Sequence, residues 1–254
     1  MTLVSLNRWK AAAIHLGLSV LIAASVVTVM LLVWYPPPYF DTMGGTGLLK
    51  ILVGVDVTLG PLLTLIIFNP RKKSLRFDLS VIAALQLAAL VYGVWVMFEA
   101  RPVYAAFAVD RFDVVSANEL EQEDLDAAAP EYRELPLAGP RVVGIRLPDK
   151  EKNPDEWNKL VFSGAAGKDV PQFPKYYVPY ADVAADVLKK ARPLSALVSA
   201  KPGSKAEVDA FVSRAARSQN DLVYVPLNGR GGSATAVVDA HDARIIGFIP
   251  IDPE

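Results

Sequence analysis

The sequence predicts an integral membrane protein with three transmembrane α-helices, N-terminus inside and C-terminus outside, followed by an α+β periplasmic domain. Two observations lead to this fold class. Apolar side chains concentrate in the first hundred residues, and the rest of the chain alternates short helices and strands of ordinary polarity. We therefore expect a membrane domain over residues 1–98 and a periplasmic domain over residues 99–254.

Three apolar runs, residues 11–35, 48–68 and 79–98, define the predicted spans. The first has 25 uncharged residues, and at about 1.5 Å per residue it exceeds the roughly 30 Å hydrocarbon core of a bilayer. It is too long for a signal peptide and ends in Trp34, Tyr35 and three prolines, which is typical of an uncleaved anchor.

The charges beside the spans predict the orientation. Basic residues stand before the first span and between the second and third, whereas the loop after the first span has Asp41 and no basic residue. Loops rich in Lys and Arg stay in the cytoplasm, so the N-terminus is expected inside and, after three spans, the C-terminus outside. In a bacterium this places the protein in the inner membrane, with its C-terminal domain in the periplasm. The basic residues are Arg8, Lys10, Arg71, Lys72, Lys73 and Arg76.

The outer domain shows local signals for both helices and strands. Capping boxes at 116–119 and 204–207 each predict the start of a helix. Strands are expected at 103–115 and 141–147, helices at 154–162 and 181–191, and an irregular loop at 170–180. Period-two runs at 222–226, 234–238 and 244–249 predict a C-terminal β-meander.

Composition and motifs argue against most chemistry. The chain has no cysteine and two histidines, which excludes a cysteine nucleophile and leaves too few ligands for a Cys/His zinc site. Its 26 basic and 27 acidic side chains give no basic footprint for nucleic acid. The glycines of 229–233 fit a hairpin loop, and His241 falls in a predicted turn. We expect no catalytic residue, cofactor or metal.

Asp56 is the main anomaly, because an acid near the middle of an apolar span is costly unless it is paired. It could make a structural contact with Gln86 or Thr58, dock another membrane helix, or belong to an ion pathway. Gly60 would let helices approach closely, and Pro61 would weaken the helix beside the acid.

Several motifs together resemble the type IV pilin accessory proteins of the TfpX/TfpZ (FimB-like) family. The similarity is close over residues 40–111 and looser downstream. The motifs are Asp56-Val-Thr-Leu-Gly60-Pro61-Leu-Leu-Thr64, Arg76-Phe77-Asp78-Leu79-Ser80, Gln86, Tyr92-Gly93, Ala100-Arg101-Pro102-Val103-Tyr104 and Val109-Asp110-Arg111-Phe112.

The resemblance implies a non-enzymatic inner-membrane protein that binds the major type IV pilin and assists pilus assembly or display. The expected partners are the pilin's membrane helix and periplasmic head, the lipid bilayer and the pilus assembly machinery. The candidate partner-binding residues are Asp56, Gly60, Pro61, Gln86, Arg101, Asp110 and Arg111.

Two alternatives stay open. A membrane-anchored sensor or scaffold unrelated to pili predicts a large concave apolar pocket in the outer domain. An envelope enzyme requires two carboxylates that converge in a cleft with shifted pKa values.

Overall fold

A computed structural model describes residues 7–254, so the first six residues of the predicted membrane domain lie outside the described residues. The chain divides into two compact units. A helical unit contains the described residues up to 33 together with 45–100, and a sheet unit contains 34–44 together with 101–254.

The helices of the described residues are short except for the first and the fifth. Asn7 caps the first, its side chain accepting a hydrogen bond from the Lys10 amide at 2.8 Å. The helices are α1 (Arg8–Val29), α2 (Tyr39–Thr42), α3 (Gly45–Gly54), α4 (Gly60–Ile67), α5 (Leu75–Glu99), α6 (Gln122–Asp126), α7 (Pro154–Ala165), α8 (Ala184–Lys190), α9 (Leu194–Ala200) and α10 (Lys205–Ala215).

The predicted three-span fold class is wrong. Within the described residues, two helical segments are long and apolar enough to cross a membrane: Arg8–Trp34, which is α1 continued by a π-helical turn, and Leu75–Glu99. The expected second span, 48–68, is divided into α3, a π-helical turn at Val55–Leu59, and α4. Pro61 lacks the N–H that a regular helix needs at that point, so the α-helical hydrogen bonding is interrupted.

The sheet unit contains one mixed sheet of eight strands. They are β1 (Pro102–Ala108), β2 (Arg111–Ser116), β3 (Arg141–Ile145), β4 (Tyr177–Pro179), β5 (Arg192–Pro193), β6 (Leu222–Gly229), β7 (Gly232–Asp239) and β8 (Ile245–Ile249). Their order is β4-β3-β1-β2-β6-β7-β8, with β5 paired to β6. The pairs β1–β3 and β2–β6 are parallel, and the others are antiparallel.

Local signals identified some of these elements and missed others. The C-terminal meander and the helix from Pro154 are confirmed. In the first capping box the Glu119 carboxylate accepts from the Ser116 amide, although the box opens a 3₁₀ turn. The second does not form, since neither the Ser204 nor the Glu207 side chain makes a capping hydrogen bond at the start of α10. The expected strand 103–115 is in fact the β1–β2 hairpin.

Two hydrophobic clusters stabilise the sheet unit. One surrounds β1 and β3 and includes Tyr104, Tyr132 and Tyr177, whose rings meet edge to face. The other lies between α9, α10 and strands β6–β8. Helices α9 and α10 therefore cover the strands of the C-terminal meander.

The segment between α1 and α3 packs against β8 and the β6–β7 hairpin. Tyr39 meets the Phe248 ring edge to face, and the Gly231 amide donates to the Thr42 carbonyl at 2.7 Å. A Cβ atom on Gly231 would lie 2.6 Å from the Gly44 Cα atom. The glycines of this hairpin loop therefore allow a close backbone approach.

We expect Gly144→Ala to destabilise the sheet unit by about 1–3 kcal/mol. Its Cβ would lie 2.6 Å from Cγ1 of Val183, a stiff and buried side chain. The measurement is the free energy of unfolding of the purified protein in detergent. The control is Gly164→Ala in α7, where an added Cβ meets nothing within 4 Å. Equal stability of the two variants would contradict this packing.

Candidate functional site

The middle segment of the helical unit buries Asp56, Gly60 and Thr64 and exposes large apolar side chains. Asp56 is 8% exposed and Thr64 is 3% exposed, and Gly60 is buried between them. Leu59 and Ile66 are 50% and 68% exposed. A spacing of four residues puts Asp56, Gly60 and Thr64 on one helix face, which we call the polar stripe.

Helix α1 also carries small or polar residues along one face. Ala11, His15 and Ser19 follow the same spacing of four; Ala11 and Ser19 are buried. His15 Nδ1 and Thr64 Oγ1 share a hydrogen bond of 2.6 Å. Helix α4 packs against both α1 and α5, so the polar stripe lies in the interior of the helical unit.

Gln86 of α5 lies across Gly60. Its Nε2 atom donates to the Asp56 backbone carbonyl at 3.3 Å, whereas the sequence suggested a contact with the Asp56 side chain. The π-helical turn explains the difference: the next π-type bond from this carbonyl would need an N–H at Pro61, which has none. A Cβ on Gly60 would lie 2.6 Å from the Gln86 Cδ atom, so only glycine leaves room for the amide.

Two acceptors of this site have no donor among the described residues. Asp56 Oδ1 and Gln86 Oε1 are buried and make no hydrogen bond with any residue of 7–254. Leaving such a group unsatisfied costs about 1–3 kcal/mol. Both residues line a cavity of about 130 Å³, together with His15, Ser19 and the apolar side chains Leu18, Ile22, Ala83, Leu87 and Leu90.

The structure brings four of the seven predicted residues together, Asp56, Gly60, Pro61 and Gln86. The other three belong to the sheet unit. Arg101, the residue before β1, is buried, and its Nε donates to the Pro136 carbonyl of a loop at 3.3 Å. Asp110 and Arg111 lie at the β1–β2 hairpin tip.

The hairpin tip borders a charged cleft of about 540 Å³. Arg111 donates to Asp113 at 3.1 Å, and Arg230 pairs with Glu119 at 3.0 Å. Burial raises the pKa of the Asp113 carboxyl above its ordinary value, and the Arg111 charge opposes that rise. Val109 at the tip has a φ of 60°, a strained conformation for a β-branched residue.

Sequence reasoning missed the α1 face and the charged cleft. The spacing of Ala11, His15 and Ser19 was a usable signal for the first. No local sequence signal marks the charged cleft, because Val109 occupies the hairpin turn where glycine or asparagine is normally found. His241 does lie in a turn, and within residues 7–254 no three His, Asp or Glu side chains are grouped to hold a metal ion.

Comparison with known proteins gives the family. The family model "Fimbrial assembly protein FimB" matches residues 5–44. A fimbrial assembly protein of serogroup I from Dichelobacter nodosus is 31% identical over 246 residues, covering 96% of this chain and 95% of that protein. The chain belongs to the family of fimbrial assembly proteins. The serogroup E1 protein of that organism is 31% identical over 247 residues, covering 96% of this chain and 95% of its own length.

A third relative with the same family name is shorter than this chain. The D. nodosus fimbrial assembly protein of serogroups C1 and C2 is 38% identical over 121 residues, which is 47% of this chain and 92% of that protein. No solved structure matches the chain. The expected link to pilus assembly is therefore confirmed at the level of a fimbrial assembly family, whose names describe assembly rather than catalysis.

We expect Gly60→Ala and Gln86→Ala to be strongly non-additive. Gly60→Ala alone should cost about 1–3 kcal/mol, because it displaces the Gln86 amide and leaves the Asp56 carbonyl without its donor. In the Gln86→Ala background it should cost less than about 0.5 kcal/mol. The measurement is the free energy of unfolding in detergent of the wild-type protein, the two single variants and the double variant. Gly54→Ala, with nothing within 4 Å of its added Cβ, is the control; additive costs would contradict the contact.

Proposed function

We propose that this fimbrial assembly protein is a non-enzymatic, inner-membrane accessory protein of the TfpX/TfpZ kind. In this proposal it binds type IV pilin and assists pilus assembly or display, with the assembly machinery as a further partner. The observation that carries the proposal is the helical unit, which buries Ser19, Asp56 and Thr64 while many large apolar side chains are exposed on its surface. Family membership supplies the assembly role.

The membrane location rests on the distribution of side chains in the helical unit. A soluble helix buries its apolar face, whereas here Leu21, Leu32, Leu85 and Val91 on α1 and α5 and in the adjoining π turn are 60–75% exposed. Buried polar groups facing a bundle interior are typical of membrane helices. Tyr92 and Trp95, near one end of α5, suit a membrane interface.

The charges beside α1 and α5 support a periplasmic sheet unit. Basic residues stand at the N-terminal ends of both helices, which favours the cytoplasm for those ends. The sheet unit contains the residues from Trp34, at the end of the first helical segment, and from Arg101, just after α5.

Pilin binding rests on the incomplete hydrogen bonding of the polar stripe. Polar groups inside a membrane favour contact with a partner that completes their hydrogen bonds. A pilin waiting in the inner membrane offers a membrane helix to the helical unit and a head to the sheet unit. The strained, exposed hairpin tip at Val109 is a suitable contact for that head.

The alternatives receive less support. A sensor needs a large apolar pocket. The cleft at the hairpin tip is lined by six charged side chains, Asp110, Arg111, Asp113, Glu119, Asp169 and Arg230. Two other hollows of the sheet unit, of about 590 and 560 Å³, also include charged side chains, Asp41 in one and Asp242 and Arg244 in the other. An enzyme needs free convergent carboxylates, whereas Asp113 is held by Arg111.

The location is tested by reporter fusions. Alkaline phosphatase joined after Glu254 should be active, because that enzyme needs the oxidising periplasm for its disulfides. Green fluorescent protein joined ahead of Met1 should fluoresce, because the N-terminus is expected in the cytoplasm. An inactive phosphatase on an intact, full-length fusion would contradict the periplasmic location.

Pilin binding is tested by in vivo photo-crosslinking. Crosslinkers at Val55 and Leu59, both exposed beside Asp56, should capture the major pilin. Asp56→Leu should lower the yield about tenfold, the effect of losing roughly 1.4 kcal/mol. A crosslinker at Phe77, exposed at the first turn of α5, serves as the positional control. An intact protein that captures no pilin from either position would contradict the proposal.

A further inference from the structure

The turn of the β6–β7 hairpin touches two different parts of the sheet unit. We call this turn, residues 229–232 with the sequence Gly-Arg-Gly-Gly, the glycine loop. It contacts the inter-helix segment, Trp34–Gly44, which belongs to the sheet unit although the chain on both sides of it belongs to the helical unit. The glycine loop also forms part of the wall of the charged cleft.

Backbone packs directly on backbone where the glycine loop meets the inter-helix segment. The Gly231 amide donates to the Thr42 carbonyl at 2.7 Å, and a Cβ atom on Gly231 would lie 2.6 Å from the Gly44 Cα atom. A Cβ atom on Gly229 would lie 2.8 Å from the Thr42 carbonyl carbon. Close-packed backbone of this kind transmits strain, so a displacement of the segment must displace the glycine loop.

Arg230 connects the position of the glycine loop to the charged cleft. It stands between the two glycines that contact the inter-helix segment, so the segment fixes the backbone that holds it. Its guanidinium pairs with Glu119 at 3.0 Å, and both residues line the cleft. The other oxygen of the Glu119 carboxylate accepts from the amide of Ser116, the last residue of β2, at 2.6 Å. A continuous series of contacts therefore joins the inter-helix segment to the end of β2.

We propose that the glycine loop transmits a displacement of the inter-helix segment to the charged cleft. When the segment moves away from the loop, Arg230 loses its fixed position and Glu119 loses the cation that pairs with it. The wall of the cleft and the end of β2 are then held less tightly. The coupling follows from contacts within the sheet unit, whereas its use in the recognition of a pilin head rests on the proposed function.

The coupling is tested by hydrogen exchange and mass spectrometry on the full-length protein in detergent. Tyr39→Leu loosens the inter-helix segment by removing the ring that meets Phe248, and it changes no residue that lines the cleft. Residues 116–120 should then exchange roughly two- to fivefold faster, the range expected for the loss of one half-exposed ion pair. Faster exchange at 39–44 with unchanged exchange at 116–120 would overturn the proposal.

Further variants distinguish transmission from a general loss of stability. Arg230→Gln breaks the ion pair directly and should give the faster exchange at 116–120 while leaving 39–44 unchanged. Adding Tyr39→Leu to it should give little further increase at 116–120, and a full second increase would overturn the role of Arg230. Gly144→Ala, which perturbs β3 beside Val183, is the control and should not affect 116–120 selectively. If Tyr39→Leu does not fold, Gly231→Ala decides in its place.

Crosslinking separates this inference from the proposed function. A photo-crosslinker at Asp110, exposed at the β1–β2 hairpin tip, should capture pilin in the wild-type protein. Tyr39→Leu should lower the yield, because the wall of the cleft is no longer held in one arrangement. Faster exchange at 116–120 without pilin capture would overturn the proposed contact and leave the coupling standing. Pilin capture without the change in exchange would overturn the coupling and leave the proposed function standing.

Discussion

The packing of Asp56, Gly60 and Thr64 against α1 and α5 is the constraint on which the helical unit depends. The middle segment can sit between the two long helices because its inner face carries small or polar residues, and Gly60 leaves room for the Gln86 side chain. The hydrogen bond between His15 and Thr64 joins α1 to this segment. In a bilayer, apolar side chains lose nothing by contacting lipid instead of another helix. Hydrogen bonds and close packing of small residues therefore decide which helices pack together.

The sequence showed that Asp56 and Gln86 matter, because both interrupt apolar runs. It could not show which atoms meet. The π-helical turn decides that Gln86 reaches a backbone carbonyl, and such turns have no simple signal in hydropathy. The same turn explains the incorrect second span. The span was predicted from the length and hydropathy of an apolar run. Neither property registers the missing N–H of Pro61, which changes the hydrogen bonding of the helix.

In the sheet unit, the success of prediction depended on how local each signal was. Turn residues at Asn228–Ser233 and the Ser116–Glu119 box act over a few residues. The first gave the correct hairpin, and the second marked a 3₁₀ turn where a helix was expected. The parallel pair β2–β6 joins Phe112 to Leu227, a separation that no local pattern encodes. The packing of residues 39–44 on the β6–β7 hairpin is equally long-range.

The central claim, that the polar stripe faces the interior of a membrane-embedded unit, is tested most directly by site-directed spin labelling in lipid bilayers. The chain has no cysteine, so single cysteines can be placed at each position from 55 to 66 without removing any. Accessibility to molecular oxygen, which concentrates in lipid, should peak at Leu59, Leu62 and Ile66 and be lowest at Asp56 and Thr64. High accessibility at the latter two positions, or water exposure throughout, would contradict it.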